Sequence, residues 1–195
     1  MFLFAGLGNP GQNYAMNRHN VGFMAVDLIA DTYDFPEWQK RAASLQTTGR
    51  IDLNKTILLK PQSYMNKSGL PVAEVALFHK IPVNHIFVFH DELDLAAGRV
   101  RVKQGGGNGG HNGLRDLDRH LGQDYWRVRI GIGRPDNPAM GIKSWVLTDF
   151  TKTEISGWLS NLLGAISDEA PRLTAHDDSG FMSRVAYLAP APSTR

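Results

Sequence analysis

The sequence predicts an α/β protein built on one open sheet. Three observations lead there: strand-type and helix-type hydrophobic patterns alternate along the chain, the strand-type runs end in glycines or polar clusters, and no repeat or linker interrupts them. With 195 residues and 42% hydrophobic content, the chain can bury one sizeable core. A single domain over 1–188 is expected, followed by a flexible Pro-rich tail over 189–195 that frays at the end.

Phe2 to Gly6 is a short apolar run closed by glycine, as a buried strand requires. A polar loop follows to about Asn20, and Gly22 to Tyr33 fits a helix. Ser44 to Ile51 and Thr56 to Lys60 are rich in β-formers and flank the turn-prone Asp52-Leu53-Asn54-Lys55, which reads as a hairpin. Ser68 is placed to cap a second helix running to about His79. His85 to Phe89 is a compact β-forming run that leads into His90-Asp91-Glu92, so an acidic group should stand at the carboxyl end of a strand, where the sites of open α/β sheets gather. Over Gly98 to Lys103, Val100 and Val102 alternate with Arg99, Arg101 and Lys103, giving a half-buried strand with a basic side. Leu114, Leu117 and Leu121 have helical spacing, and Trp126, Val128, Ile130 and Ile132 alternate with Arg127 and Arg129 as another strand. Thr151 and Glu154 form a capping-box signature ahead of Ile155, Trp158, Leu159, Leu162 and Ile166, which predicts one long amphipathic helix.

The absence of cysteine excludes disulfides, thiolate catalysis and cysteine-held metals. The formal charge is only +2, but the pI is about 8.9 and the basic residues cluster, which permits a local polyanion-binding face. The apolar opening MFLFAG lacks a basic leader, and no apolar run is long enough to span a bilayer. A soluble cytoplasmic protein with no membrane partner is therefore expected.

Two glycine-rich stretches match G-x-G-x-x-G, through Gly6, Gly8 and Gly11 and through Gly105, Gly107 and Gly110. A dinucleotide site needs a helix opening at the last glycine and an acid ending the next strand. The first stretch is interrupted by Pro10 and a polar segment, and the second follows an alternating rather than a wholly apolar strand, so neither fits. Both suit backbone that passes close to a substrate. Asn9, Asn66 and Asn112 lie in or beside such loops, and a carboxamide both donates and accepts, which suits a peptide backbone or an oxyanion; the plainer alternative is that each serves its own turn.

Among the histidines, His79, His85, His120 and His176 read as surface or helix-end residues, leaving His19, His90 and His111. His19 lies in a polar loop between a strand and a helix. Asp91 can accept its ring proton, fix the tautomer and stabilise an imidazolium while the other nitrogen takes a proton from water. Such general base catalysis is typically worth roughly 10²- to 10⁴-fold. A metal held by His90, Asp91, Glu92 and Asp94 is the competing account, but neighbours on a strand point to opposite faces. No H-E-x-x-H or G-x-S-x-G occurs, and we expect no metal and no cofactor.

Taken in order, Gly6-Leu7-Gly8-Asn9-Pro10-Gly11, Tyr14, Arg18-His19-Asn20, Lys60-Pro61, Met65-Asn66-Lys67-Ser68-Gly69, His90-Asp91-Glu92-Leu93-Asp94-Leu95, Gly105 to Asp116 and Arg129 to Pro135 resemble the bacterial-type peptidyl-tRNA hydrolases. The resemblance implies a mixed twisted sheet flanked by helices on both faces, in a monomer of the peptidyl-tRNA hydrolase-like (phosphorylase/hydrolase-like) fold that needs no cofactor. It implies hydrolysis of the ester between peptide and tRNA, with His19 as base, Asp91 as its orienting carboxylate and Asn9 sensing the blocked amino group. By the same likeness Tyr14, Tyr64, Asn66, Asn112, His111 and Gly110 contact substrate, while Arg101, Lys103 and Arg129 hold tRNA phosphate. The chain departs from the family at Asn108, often His, at Ala96, often Pro, and at Tyr64, often Phe. A non-catalytic RNA-binding protein on the same scaffold is the alternative, and the complete His19, Asp91 and Asn set argues against it.

Overall fold

The computed structural model describes residues 1–193. Its strands are β1 (Phe2–Gly6), β2 (Gln39–Arg41), β3 (Ser44–Ile51), β4 (Asn54–Pro61), β5 (Ile86–Glu92), β6 (Val100–Gln104) and β7 (Trp126–Gly131). The main helices are α1 (Val21–Thr32), α2 (Gly69–Phe78) and α3 (Asn112–Leu121), followed by α4 (Ile142–Val146), α5 (Lys152–Glu154), α6 (Ser160–Asp168), α7 (Ala170–Thr174) and α8 (Asp178–Leu188). The strands form one sheet in the order β2-β3-β4-β1-β5-β7-β6. Its centre, β4-β1-β5-β7, is parallel, and the strands outside it are antiparallel to their neighbours.

The central strands are apolar at successive positions because both of their faces are covered. Phe4, Phe87, Phe89, Val128 and Ile130 face α1, α6 and α8, while Leu3, Ala5 and Val88 face α2 and α3. Burying each such Leu or Phe side chain contributes about 1.5–3 kcal/mol. After β1 the chain re-enters the sheet at its edge strand β2 and runs inward through β3 to β4, on one side of β1; after β4 it crosses to β5, on the other. The loops leaving β1 and β5 therefore diverge, which opens a crevice at the carboxyl ends of these strands.

Most predicted elements appear at the expected places, and the differences have local causes. The hairpin closes through Asp52-Leu53 alone, with Asp52 at φ 50°, a left-handed conformation that Asp tolerates, and Lys55 already lies within β4. Ser68 does not cap α2: its hydroxyl donates back to the Met65 carbonyl at 2.7 Å, and the first helical amide, on Gly69, donates to Asp116 at 2.8 Å. The Thr151–Glu154 capping box forms, but the long helix is broken by a wide turn at Ile155–Leu159, where Gly157 adopts φ −114° and ψ −117°. Arg127 follows the solvent-facing alternation of its strand, yet it is 1% exposed because α3 and the second glycine loop close over it. At the carboxyl end, Ala189 is buried in the core rather than loose, and the rest of the predicted tail up to 193 has no regular structure; residues 194 and 195 lie outside the described residues. Helix α8 packs along the edge strand β6, and the Met182 sulfur accepts from the Val102 amide at 3.3 Å, which covers an otherwise open edge. Among the described residues, no helix is long and apolar enough to cross a membrane.

Candidate active site

A cleft of about 600 Å³ opens at the carboxyl ends of the four parallel strands. Each strand delivers part of it. The loop after β1 brings Asn9 and His19, the turn after β4 brings Tyr64, Met65 and Asn66, the end of β5 brings Asp91, and the chain beyond β7 brings Arg134 and α4. Gly110, His111 and Asn112 complete the rim from the second glycine loop and the start of α3.

Asp91 is the hub. It is 3% exposed and takes two imidazoles: His19 Nδ1 at 2.9 Å from Oδ2, and His111 Nε2 at 2.8 Å from Oδ1. Burial raises its pKa, but the charges and hydrogen bonds of His19 and His111 together outweigh that and hold the carboxyl well below its usual range. For His19, burial opposes the charged form, but the charge and hydrogen bond of Asp91 prevail and raise its pKa.

The tautomers follow from the partners. His111 caps α3: its Nδ1 accepts from the amides of Gly113 and Leu114 at 3.1 and 3.3 Å, so its ring proton sits on Nε2 and is donated to Asp91. With Asp91 also accepting from His19 Nδ1, the other His19 nitrogen is left with its lone pair toward the cleft. Beneath them His90 is fully buried. Its Nδ1 donates to the Asp91 carbonyl at 2.8 Å, and desolvation followed by the neighbouring His111 lowers its pKa to about 3.

Asn9 is fixed on three sides. Its amide donates to Asn20 Oδ1 and its carbonyl accepts from Asn20 Nδ2, both at 2.9 Å, while its side-chain oxygen accepts from the Met65 amide at 2.8 Å. Because an N–H needs an acceptor, that contact orients the carboxamide, and the Nδ2 hydrogens are what Asn9 can offer the cleft.

The second glycine loop is anchored from below. Arg127 donates to the Gly107 carbonyl and, at 3.1 Å, to Asp118, which also accepts from Tyr125 and Asn108. Asn108, one of the departures from the family pattern, accepts from the Gly110 amide at 3.1 Å and so braces the loop internally.

The structure thus gathers Asn9, His19, Tyr64, Asn66, Asp91, Gly110, His111 and Asn112 around one cleft. Tyr14 stands outside its lining: the side chain packs edge-on against Tyr64, 6.5 Å between ring centroids, and supports the wall instead of forming it. Arg101, Lys103 and Arg129 also lie beyond the lining. Arg101 and Lys103 are exposed on β6, Arg101 pairs in register with Arg129, and Arg129 donates to Glu92 at 3.2 Å. Sequence reasoning assigned no role to Asn20, to the Met65 amide or to the wall formed by Ile142, Val146 and Leu147. The first two were visible as motif neighbours, whereas the wall carried no signal.

His90, Asp91, Glu92 and Asp94 do not form a ligand cluster. Among the described residues the one converging trio is His19, Asp91 and His111, with potential ligand atoms within 4.8 Å of one another. Binding an ion there would require His111 to surrender the Nε2 proton that its cap places on it, so the donor set fits a hydrogen-bonded relay better than a metal.

The model of the peptidyl-tRNA hydrolase family matches residues 3–192. The chain is 51% identical over 192 residues to a protein of Rhodospirillum centenum named peptidyl-tRNA hydrolase, covering 98% of this chain and 84% of that one. It is likewise 51% identical to a protein of the same name from Acidiphilium cryptum, with 96% and 97% covered. The crystal structure of peptidyl-tRNA hydrolase from Acinetobacter baumannii superposes with a TM-score of 0.89 at 35% identity, covering 98% of this chain and 97% of that one. On sequence and fold alike, the chain belongs to the peptidyl-tRNA hydrolase family.

Proposed function

We propose that this chain hydrolyses the ester joining a peptide to the 3′-terminal ribose of tRNA, with His19 as general base. The observation that carries the reading is the His19–Asp91 pair at 2.9 Å, held in a cleft whose rim is set with asparagines. Water gives a proton to His19 Nε2 as its oxygen attacks the ester carbonyl, and Asp91 stabilises the imidazolium that forms. The carbonyl oxygen gains negative charge, and the Asn9 Nδ2 hydrogens, with the carboxamides of Asn66 and Asn112 nearby, are suited to receive it. Collapse of the tetrahedral intermediate breaks the bond to the ribose oxygen, which takes the proton from His19. The products are a peptide carboxylate and free tRNA.

Substrate contacts fall to Tyr64, Gly110 and His111 in the cleft, with Tyr14 behind Tyr64. The basic side of β6, Arg101 and Lys103 with Arg129 beside them, serves as the phosphate-binding strip outside it. We read the working form as a cytoplasmic monomer that uses neither cofactor nor metal. The assembled base and carboxylate favour an enzyme over a non-catalytic RNA binder.

The test is hydrolysis of peptidyl-tRNA after dialysis against a chelator. Wild type should retain its rate, and His19→Ala should lose about 10²- to 10⁴-fold in kcat with its circular dichroism unchanged. Near-normal turnover by His19→Ala would remove His19 from the mechanism.

A further inference from the structure

The mechanism above uses His19 and leaves its neighbour Arg18 without a task. Arg18 is 4% exposed, and each of its three guanidinium nitrogens donates a hydrogen bond. Nη1 and Nη2 donate to the two carboxylate oxygens of Glu154 at 2.9 and 3.0 Å, and Nε donates to Thr148 Oγ1 at 3.1 Å. The guanidinium carbon lies 4.0 Å from the Trp145 ring centroid and 5.0 Å from that of Phe150. The backbone joins in. Arg18 N donates to the Thr148 carbonyl at 3.0 Å and Phe150 N to the Met16 carbonyl at 2.9 Å, bracketing an isolated antiparallel bridge between Asn17 and Asp149.

All of these partners lie in the stretch 145–154, which continues directly from the Ile142, Val146 and Leu147 wall of the cleft. That wall has little packing of its own: α4 is five residues long and buries Val146 alone. A segment with so little buried surface opens easily unless something else holds it. Taking a guanidinium out of water is costly, and a planar fork that is also stacked fixes orientation in a way an ammonium cannot. A tether of this kind, one residue before His19, links the wall to the base.

We propose that Arg18 is a positioning residue whose buried fork and stack hold the Ile142, Val146 and Leu147 wall at a set distance from His19. The proposal rests on the hydrolase reading above. Arg18→Lys keeps a positive charge but loses the fork and the stack. It should lower kcat about 10- to 100-fold, the scale of a small misplacement of reacting groups. Amides of 142–150 should also exchange faster with solvent, while the far-ultraviolet circular dichroism stays that of wild type. Glu154→Gln, at a more exposed partner, should change both readouts in the same direction by less, and serves if Arg18→Lys does not fold.

Because the chain has no cysteine, the tether can be replaced cleanly. Asn17 and Asp149 form a non-hydrogen-bonded antiparallel pair, for which the Cα spacing of about 4.5 Å falls within disulfide range. Adding Asn17→Cys and Asp149→Cys to Arg18→Lys should restore most of the lost rate when oxidised and none when reduced, an outcome that a general loss of stability would not give. Wild-type kcat in Arg18→Lys and Glu154→Gln, or a folded, oxidised cross-link that recovers nothing, would overturn the proposal alone. A wild-type chain that leaves the ester intact would overturn the hydrolase reading and this proposal with it.

Discussion

The two glycine-rich loops share a letter pattern and obey different physics. In the first, Gly6 and Gly8 are needed for lack of volume, and Gly11 alone, at φ 105°, supplies handedness. A Cβ on Gly6 would run into the Gly22 carbonyl, one on Gly22 into the Phe89 carbonyl, and one on Gly8 would lie 2.7 Å from the Phe23 ring. In the second, Gly105, Gly106, Gly109 and Gly110 have φ of 70°, 102°, 57° and 83°, and nothing lies within 4 Å of a Cβ built on Gly107, Gly109 or Gly110. There glycine supplies handedness. The first loop is held by the helix pressed onto it, and the second by the hydrogen bonds of Arg127 and Asn108. Neither uses the nucleotide logic of G-x-G-x-x-G: α1 starts well after Gly11, and the first amides of α3 are taken by His111.

Substitutions can break or sharpen this contrast. Gly22→Ala should have the largest effect, on the order of 5 kcal/mol or outright failure to fold, because its Cβ meets backbone on both β5 and the first loop; a near-normal thermal midpoint would show that α1 can shift away. Arg127→Met should cost about 3–5 kcal/mol, the usual consequence of stranding one member of a buried ion pair, here Asp118. Urea unfolding would measure this, and a loss under 1 kcal/mol would mean that the brace matters little. At the junction of the loops, His90 gives a smaller, pH-dependent effect. Its folded pKa is lowered to about 3, so as pH falls from about 6.5 toward 3 the unfolded chain takes up a proton that the folded chain refuses. Stability then falls by roughly 1.4 kcal/mol per pH unit from this group. His19, with its pKa raised, loses its contribution only as pH rises through its folded value, so it does not mask this slope. His90→Gln should flatten the slope in urea titrations between pH 6 and 4. Gly107→Ala should have the smallest effect, within about 0.5 kcal/mol, since its φ is ordinary and its Cβ meets nothing.

Much of this was legible in sequence because hydrophobic period and turn chemistry are local. β1, the β3–β4 hairpin, β5 and α3 follow from them, as does the placing of Asp91 at a strand's carboxyl end. What escaped was set by contacts distant in sequence. Gln39–Arg41 is exposed throughout and lacks alternation, so only pairing with β3 makes it a strand. The burial of Arg127 depends on Asp118 and on a loop folding above it. His111 could be placed near substrate, but nothing in its neighbours showed that an imidazole would cap α3, a position where Ser, Thr, Asp and Asn prevail, and so donate to Asp91.

The orientation of the Asn9 carboxamide has a further consequence. Its oxygen is spent inward on Met65, so a ligand meets only the hydrogen side of the group. On the hydrolase reading proposed above, one Nδ2 hydrogen serves the ester oxygen and the second is open to the carbonyl of an acylated amine, whereas a free aminoacyl ester would bring a cationic ammonium that faces partial positive charge and finds no lone pair. Discrimination between the two esters would then be a matter of sign rather than of size, set by the single backbone amide of Met65 that takes up the Asn9 oxygen.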